Sequence, residues 1–300
     1  TAVMDTIYER AEAVANEFGG KAYANLDDLL GDPDVDAVIV CSPHIYHGEQ
    51  VVASAKAGKH VLVEKPMALT LKECDDMINA CEEANRILMV GQVMRCYPIN
   101  RLIKKMIADG EIGNVGHLIR RRYSYFDTTQ PGTVYGRWYL DLEIGGICVL
   151  YCFGPHEYDI LHWYMDSPVI EVYAQGTEST ELYKGQKDSY TSIMKHANGA
   201  VSVLSQTVVS HVGAHDQFIM GSKGSMFQAG DKLLMNGQEV AINGSSGQGM
   251  QIQINDFAES CLTGKKPDAS GRSVRHSMAI IEATKQSAER NKPVLVSEFD

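Results

Sequence analysis

Residues 1–90 alternate short apolar runs with segments of helical periodicity. The apolar runs predict strands at 1–4, near 23, and at 36–41, 60–63 and 87–90. The periodic segments between them predict helices at 7–18, 26–30, 46–57 and 71–85. Thr70, followed three residues later by Glu73, forms a capping box that begins the last of these helices. Strands that alternate with helices of this length indicate βαβ units, a parallel sheet and right-handed connections.

The pattern changes near residue 95. Pro98 begins a helix predicted at 98–108, and polar–apolar alternation predicts a long strand at 116–126. No clear period runs through 127–147, which predicts a loop. The same signals predict a helix at 155–164, several strands within 169–240 that are separated by glycine and asparagine turns, and closing helices at 250–262 and 273–289.

These elements predict an α/β protein with two domains. The first, residues 1–95, has the parallel sheet, and its pattern begins directly with a strand. The second, residues 96–300, is an α/β domain with a large open, mostly antiparallel sheet, and one late helix could return from it to the first domain.

Composition and charge restrict the class of partner. The chain has 300 residues, 44% of them hydrophobic and 22% charged, which is core material for two globular domains. A net charge of −11 disfavours nucleic acid and anionic membranes as partners. The seven cysteines form an odd set without CxxC spacing. We therefore predict no disulfide framework, no metal site and a cytoplasmic location.

The segment 59–66 contains the first candidate for chemistry. Its apolar run ends in Glu64 and Lys65, and Pro66 then ends the strand because proline donates no ladder hydrogen bond. Ligands bind at the carboxyl ends of strands in open α/β sheets. A lysine that is desolvated there can exchange a proton near neutral pH, so Lys65 is a candidate general acid and base. A Lys65–Glu64 ion pair in solvent is the alternative, and the residues alone leave it open.

Other polar residues follow the predicted strands. Asp5 ends the first strand, where a carboxylate can bind the ribose of a dinucleotide and favours NAD over NADP. It can equally cap the helix that follows. Ser42 and Pro43 form a polar turn at the amino end of another helix, an end that suits polar or negative ligand groups. His47 lies in the first turn of that helix and is either part of this site or a surface residue.

The segment 154–159 contains the second candidate. Its sequence, Gly-Pro-His-Glu-Tyr-Asp, begins a predicted helix shortly after the pair Gly145-Gly146. His156 titrates near neutral pH and could act as an acid or a base. A core or capping role is the alternative.

The beginning of the sequence differs from that of most dinucleotide-binding domains. Thr1 lies directly in a predicted strand, and no GxGxxG loop links a strand to a helix anywhere in the chain. We therefore expect the biological start to lie upstream of Thr1. Either a strand with a glycine-rich loop, a unit of about 30 residues, is encoded there, or the domain does not bind a dinucleotide in the usual way.

These motifs together resemble the Gfo/Idh/MocA family, named for glucose–fructose oxidoreductase and inositol dehydrogenase. The resemblance extends over nearly the whole chain, and its most specific part is Ala57-Gly58-Lys59-His60-Val61 followed by Glu64-Lys65-Pro66. The other matching positions are Ser42-Pro43-x3-His47, Gly91, Gly110-Glu111-Ile112-Gly113, Trp138, Gly145-Gly146 and Gly154-x-His156-x2-Asp159.

The resemblance implies a Rossmann-type domain, here without its first strand and glycine-rich loop, and a second domain built on a large open sheet. It implies NAD-dependent hydride transfer to or from a sugar, an inositol or a related polyol, and a homodimer or homotetramer formed through that sheet. The catalytic residues would be Lys65 and His156. The cofactor-binding residues would be Asp5, Ser42, Pro43, His47, Glu64, Lys65 and Gln92. The substrate-binding residues would be Lys65, Trp138, Cys152 and His156.

One position departs from the family pattern. The family often has an Asp four residues before the His, whereas this chain has Cys152. A neutral thiol cannot anchor a cationic group as a carboxylate does. Together with the absent loop, this departure motivates an alternative function, a catalytically silent sensor that binds a sugar or dinucleotide and signals to a protein partner. No residue pattern separates inositol, aldose, keto-sugar and nucleotide-sugar substrates.

Overall fold

The amino-terminal part of the chain forms two parallel sheets with connecting helices. The computed structural model of the protein describes residues 1–127 and 137–299. The first elements are β1 (Ala2–Met4), α1 (Tyr8–Phe18), β2 (Lys21–Tyr23), α2 (Leu26–Leu30), β3 (Ala37–Val40), α3 (His47–Lys56), β4 (His60–Val63), α4 (Leu71–Glu83) and β5 (Leu88–Val90). All of their strand pairs are parallel, as predicted. They lie in two sheets, β1–β2 and β3–β4–β5, whereas the sequence pattern predicts one.

Local sequence signals begin and end these helices. The Thr70 hydroxyl accepts a hydrogen bond from the Glu73 N–H (3.2 Å), and the Glu73 carboxylate accepts one from the Thr70 N–H (2.9 Å). The predicted capping box therefore begins α4. Gly58 and Asn85 adopt left-handed conformations, with φ of 76° and 52°. These conformations end the helical turns that precede β4 and β5.

The rest of the chain builds a nine-stranded sheet. Its elements are α5 (Pro98–Ala108), β6 (Val115–Tyr125), α6 (Gly154–Met165), β7 (Val169–Thr177), β8 (Ser189–His196), β9 (Val201–Thr207), β10 (Val209–Gly221), β11 (Ser225–Ala229), β12 (Lys232–Met235), β13 (Gln238–Val240), α7 (Gly249–Thr263), α8 (Gly271–Arg290) and β14 (Val294–Leu295). The strand order is β13-β12-β11-β10-β6-β9-β8-β7-β14. Among these described strands, β6 and β9 are the one parallel pair, so the prediction of a mostly antiparallel sheet is confirmed.

A helical segment that the sequence pattern did not predict precedes α6. Cys148–Phe153 forms a π-helical segment that continues directly into α6. Within the loop predicted at 127–147, residues 128–136 lie outside the described ranges, and Arg137–Leu140 forms a short 3₁₀ turn. π-Helical turns such as Cys148–Phe153 often occur at functional sites.

Helix α8 lies between the two parts of the chain. It packs on β7 of the large sheet and on α4 and β5 of the amino-terminal part. Arg275 Nε donates a hydrogen bond to Asp75 Oδ1 at 2.8 Å, and Met89 pairs with Ser270 in an isolated β-bridge. These contacts hold the β3–β4–β5 sheet against the second part of the chain.

One face of the large sheet carries a row of apolar side chains. Directly paired positions on seven neighbouring strands form this row, which we call the apolar row: Tyr173, Ile193, Val203, Ile119, Phe218, Phe227 and Leu234. Three members are large and exposed, Tyr173 at 37%, Ile193 at 48% and Phe218 at 43%. An ion pair between Arg121 and Asp216 lies beside the row on β6 and β10.

Within the described ranges, no helix combines the length and the apolar character that crossing a membrane requires. The same residues contain no group of three or more His, Cys, Asp or Glu side chains that could hold a metal ion. All seven cysteines have free thiols, and most of them are buried.

Candidate active site

Three loops meet where the parallel strands β3, β4 and β5 end. Ser42 follows β3, Lys65 follows β4 and Gln92 follows β5, so all three lie at the carboxyl edge of one sheet. The Lys65 ammonium reaches the second part of the chain and donates a hydrogen bond to the Cys152 backbone oxygen at 2.8 Å. This contact joins the sheet edge to the π-helical segment before α6. It marks the candidate active site, because ligands of open α/β sheets bind at this edge.

The surroundings of Lys65 favour loss of its proton. Burial lowers the pKa of the Lys65 ammonium; Glu64 opposes this shift and Arg122 reinforces it. No carboxylate within residues 1–127 and 137–299 forms an ion pair with Lys65 Nζ. Glu64 Oε2 instead accepts a weak hydrogen bond from the Lys65 backbone N–H at 3.2 Å. The solvent-exposed Lys65–Glu64 ion pair, considered as the alternative from the sequence, is therefore not formed.

His47 connects two of these loops. Its side chain is 0% exposed, its Nδ1 lies 2.9 Å from the Pro66 oxygen, and its Nε2 lies 2.9 Å from the Ser42 oxygen. Burial lowers the pKa of the ring, and the backbone oxygens oppose that shift. Both ring nitrogens are used in contacts within the protein. His47 therefore positions the loops after β3 and β4, and a direct contact between His47 and the cofactor stays a prediction.

Gln92 orients His156. The Gln92 Nε2 donates a hydrogen bond to the Pro155 oxygen at 3.3 Å, so Gln92 Oε1 faces His156 Nδ1 at 3.0 Å. An amide oxygen only accepts, so we assign the ring hydrogen to Nδ1 and the lone pair to Nε2. Burial and the nearby Lys65 charge lower the pKa of His156 to about 3. The ring is thus neutral at neutral pH, and the buried Gln92 contacts it. The predicted contact of Gln92 with the cofactor stays a prediction.

Two buried ion pairs anchor the helix that carries His156. Arg95 donates to Asp159 from Nε at 2.7 Å and from Nη2 at 2.6 Å, and the Ser277 hydroxyl of α8 donates to the same carboxylate at 2.6 Å. Arg120 of β6 forms the second pair with Glu157. Burial alone would raise the pKa of both carboxyl groups, but the guanidinium groups hold both below their usual values. The start of α6 is therefore fixed to β6 through Glu157 and to the turn after β5 through Asp159. Removing one charge of either pair would leave its partner buried without a counter-ion.

Cys152 contributes its backbone oxygen to the site, whereas its thiol is buried. The Cys152 side chain is 1% exposed, and the buried Cys148 thiol is near it. Burial raises the pKa of Cys152 well above its usual value, so the thiol carries no charge near Lys65. The side chain predicted to bind substrate thus faces the protein interior, and the main chain makes the contact with Lys65.

Trp138 and His44 close another side of the site. The two rings meet edge to face with centroids 4.8 Å apart, and His44 Nδ1 lies 2.9 Å from the Gly145 oxygen. Burial lowers the pKa of His44 to about 3. His44 was not among the sequence candidates, although its place between Pro43 and His47 was a signal for it. It holds the segment around Gly145 against the loop that follows β3.

The dinucleotide implied by the resemblance fits this edge of the sheet. Ser42 and Pro43 turn at the amino end of α3, which favours polar or negative ligand groups. Glycine at position 91 leaves room for Glu64, because an added Cβ would lie 3.0 Å from the carboxylate. Asp5 follows β1 in the other sheet, and its Oδ1 accepts a hydrogen bond from the Ile7 N–H at 2.8 Å. Ile7 is itself the N-cap of α1 and that cap has no side-chain hydrogen bond, so Asp5 is not the helix cap considered from the sequence.

We expect the free energy of unfolding to fall as the pH is lowered below 6.5. Burial lowers the pKa of His44, His156 and His162 from 6.5 to about 3. Between these two values the unfolded chain binds more protons than the folded chain, so stability decreases with decreasing pH. Urea denaturation at several pH values between about 7.5 and 5 measures this slope. His44→Gln removes one titrating group and should reduce the slope; a stability that does not change with pH would contradict the expectation.

Two family models match the chain. The model described as "Oxidoreductase family, NAD-binding Rossmann fold" matches residues 1–92. The model of the GFO/IDH/MocA C-terminal domain matches residues 100–227. The first match covers the sheet edge that carries Ser42, Lys65 and Gln92, and the second covers the helix that carries His156.

Individual proteins match over most of the chain. Myo-inositol 2-dehydrogenase of Thermotoga maritima is 29% identical over 99% of this chain and 91% of its own length. The 1,5-anhydro-D-fructose reductase of Ensifer adhaerens is 30% identical over 75% of this chain and 66% of its own length. The crystal structure of a probable dehydrogenase from Thermotoga maritima has a TM-score of 0.84 and 25% identity, covering 99% of this chain and 92% of that chain.

Proposed function

Because the chain belongs to the Gfo/Idh/MocA oxidoreductase family, we propose that it transfers a hydride between NAD and a hydroxyl-bearing carbon of a sugar, an inositol or a related polyol. The observation that carries the proposal is that Lys65 contacts the Cys152 oxygen and His156 contacts Gln92, so both side chains lie at the carboxyl edge of the β3–β4–β5 sheet. The carboxylate of Asp5 favours NAD over NADP. Free thiols at all seven cysteines support a cytoplasmic location.

In this proposal Lys65 exchanges a proton with the substrate and His156 orients the substrate. In the oxidation direction, neutral Lys65 accepts the proton of the substrate hydroxyl as the C–H bond breaks. The Cys152 oxygen holds the resulting ammonium at hydrogen-bond distance. His156 accepts a second substrate hydrogen bond at Nε2 and orients the reacting carbon. In the reverse direction, the Lys65 ammonium returns the proton to the carbonyl oxygen.

The residues that would hold NAD are Asp5, Ser42, Pro43 and Glu64. Asp5 would bind the adenosine ribose, and the other three would border the nicotinamide and its ribose. When bound, NAD supplies the hydride acceptor at nicotinamide C4. Trp138, packed on His44, would form an apolar wall for the substrate.

A direct assay tests the proposed function. Purified protein is incubated with NAD⁺ and with inositols, aldoses and alditols in turn, and NADH formation is followed by absorbance. We expect turnover of at least one member of this set. NADH binding, detected by fluorescence, without hydride transfer from any polyol to NAD⁺ or from NADH to any ketose would support the silent sensor instead.

We also propose that two or more copies of the chain associate through the apolar row. A contiguous apolar face of this kind is seldom left in water, and its three large exposed members lie on β7, β8 and β10 of one sheet. A flat sheet face is self-complementary when a second copy lies on it with two-fold symmetry. The row therefore supports a homodimer or homotetramer.

Positive charges introduced into the apolar row should prevent the copies of the chain from associating. We expect the double variant Ile193→Lys with Phe218→Lys to sediment as a monomer, because each new ammonium would be buried against its symmetry mate without a partner. Leu262→Lys is the matched control, since Leu262 is 86% exposed on α7 outside the row and its change should leave the assembly intact. A single monomeric species for the unmodified protein would contradict the proposal.

A further inference from the structure

A cavity of about 290 Å³ lies between the start of α4, the π-helical segment and α8. Three side chains, which we call the apolar wall, line one part of it: Leu69, Leu71 and Met278. Small-molecule sites usually have volumes of about 300–1,000 Å³. The cavity is near the lower end of this range, so it suits a compact ligand.

The cavity is next to the candidate active site but separate from it. Tyr151 lines the cavity and directly precedes Cys152, whose backbone oxygen accepts the hydrogen bond from Lys65. Lys65 and His156 are not among the side chains that line the cavity. A ligand bound there would therefore touch the segment that contacts Lys65 without occupying the place of the substrate.

The polar groups of the cavity are held by long contacts. Glu282 Oε2 lies 3.4 Å from the Tyr151 hydroxyl and 3.5 Å from Lys285 Nζ. Hydroxyl and ammonium groups usually bond a carboxylate at about 2.5–2.9 Å. Tyr151 is 6% exposed, and among the described residues Glu282 is the one hydrogen-bond partner of its hydroxyl. The phenol, the carboxylate and the ammonium thus keep capacity for hydrogen bonds to a ligand.

We propose that this cavity is a second ligand site, which binds a neutral polyhydroxylated molecule, a monosaccharide or a polyol. Glu282 and Lys285 have opposite charges, so the lining has no net charge that would select an ion. Hydroxyl groups both donate and accept, so one ligand can donate to Glu282 and accept from Lys285 and Tyr151. Its C–H groups would pack on the apolar wall. The inference does not depend on the proposed function, because no residue with a proposed catalytic role lines the cavity.

Methyl NMR spectroscopy of protein labelled at its methionines tests the proposal. The Met278 methyl signal, assigned by comparison with Met278→Leu, reports occupancy of the cavity. Met250, which is 52% exposed on α7, gives the control signal. Myo-inositol, D-glucose and D-glucitol are titrated in turn without NAD. We expect at least one of them to shift the Met278 signal in a saturable way and to leave the Met250 signal unchanged.

A double variant removes both charges of the cavity. Glu282→Gln with Lys285→Met leaves neither charge without its partner and should weaken binding by about 10- to 100-fold, the scale of losing hydrogen bonds to charged groups. Glu259→Gln with Lys265→Met is the matched control, because it makes the same changes in an exposed pair at the end of α7 and should leave the affinity unchanged. Leu71→Trp enlarges a half-buried side chain of the apolar wall and should abolish binding by filling the cavity.

Three results would overturn the second site. The first is the absence of a saturable shift of the Met278 signal with all three polyols. The second is equal weakening of binding in the two double variants. The third is a shift caused by L-leucine, a zwitterion with an apolar side chain, but by none of the polyols. NADH formation is not part of these measurements: binding without oxidation keeps this inference, whereas oxidation of a polyol that never shifts the Met278 signal keeps only the proposed function.

Discussion

Lys65→Met should lower kcat for hydride transfer by about 10²- to 10⁴-fold, the usual contribution of a positioned general acid or base. Methionine keeps the length of the apolar stem but removes the amine that donates to the Cys152 oxygen at 2.8 Å. The substrate hydroxyl then has no acceptor for its proton at that position. Steady-state kinetics on the substrate identified by the NADH assay measures the loss.

Two further variants separate proton transfer from charge. Lys65→Arg keeps a positive charge, but a guanidinium does not release its proton near neutral pH, so this variant should be as inactive as Lys65→Met. Lys56→Met replaces an exposed lysine of α3 and should keep full activity. In the unmodified enzyme, oxidation should become faster as the pH rises through the pKa of Lys65, which burial lowers below 10.5. An unchanged kcat in Lys65→Met would refute the assignment of this lysine.

Asp159→Ala should destabilise the folded protein by about 3–5 kcal/mol, the effect of removing one partner from a buried ion pair. Asp159 accepts hydrogen bonds from two nitrogens of Arg95 and from the Ser277 hydroxyl, and both charged side chains are 2% exposed. Without the carboxylate, the Arg95 guanidinium stays buried without its counter-ion. Since α6 begins only a few residues earlier, the position of His156 should also become less defined.

Urea denaturation measures the stability of this variant against a surface control. Asp256→Ala breaks the exposed Arg101–Asp256 ion pair and should cost less than about 1 kcal/mol. Both variants remove an aspartate carboxylate, so the difference between their free energies of unfolding reports the effect of burying the ion pair. If Asp159→Ala were as stable as Asp256→Ala, the Arg95–Asp159 pair would not be an anchor of α6.

Elements with strong local signals were predicted closely. Helix α5 was predicted at 98–108 and is observed at Pro98–Ala108, because Pro98 occupies its first turn and Gly110 follows its end. Periodicity alone was less informative about burial. In α1 the apolar period predicted the helix, but Ala11 and Ala15 are its buried residues and Phe18 is 76% exposed. Which side of a helix is covered depends on neighbours that the local sequence does not specify.

The candidate site was predicted in its residues but not in its contacts. Lys65 and His156 are 91 positions apart in the chain, and the sequence placed each only at the end of its own element. The π-helical segment that brings the Cys152 oxygen to Lys65 has no strong local signature. Gln92 and His47 were predicted beside a cofactor, and the sequence did not show that their polar atoms also contact His156 and two backbone oxygens. Arg122 was not predicted as a residue near the site. The polar–apolar alternation on β6 shows which face of the sheet its side chain lies on, but not which groups lie opposite that face.

The sequence by itself determined the order of strands and helices, the capping box of α4, the family and the identity of Lys65 and His156 as candidates. These depend on local propensity and on residues that stand close together in the chain. The tertiary structure alone decided that β6 runs parallel to β9, that the Cys152 thiol turns inward, that Gln92 selects the tautomer of His156, and that Arg122 joins Lys65 at one helical segment. Each of these features depends on contacts between residues that are far apart in the sequence. Burial and hydrogen bonding establish such contacts only when the whole core forms.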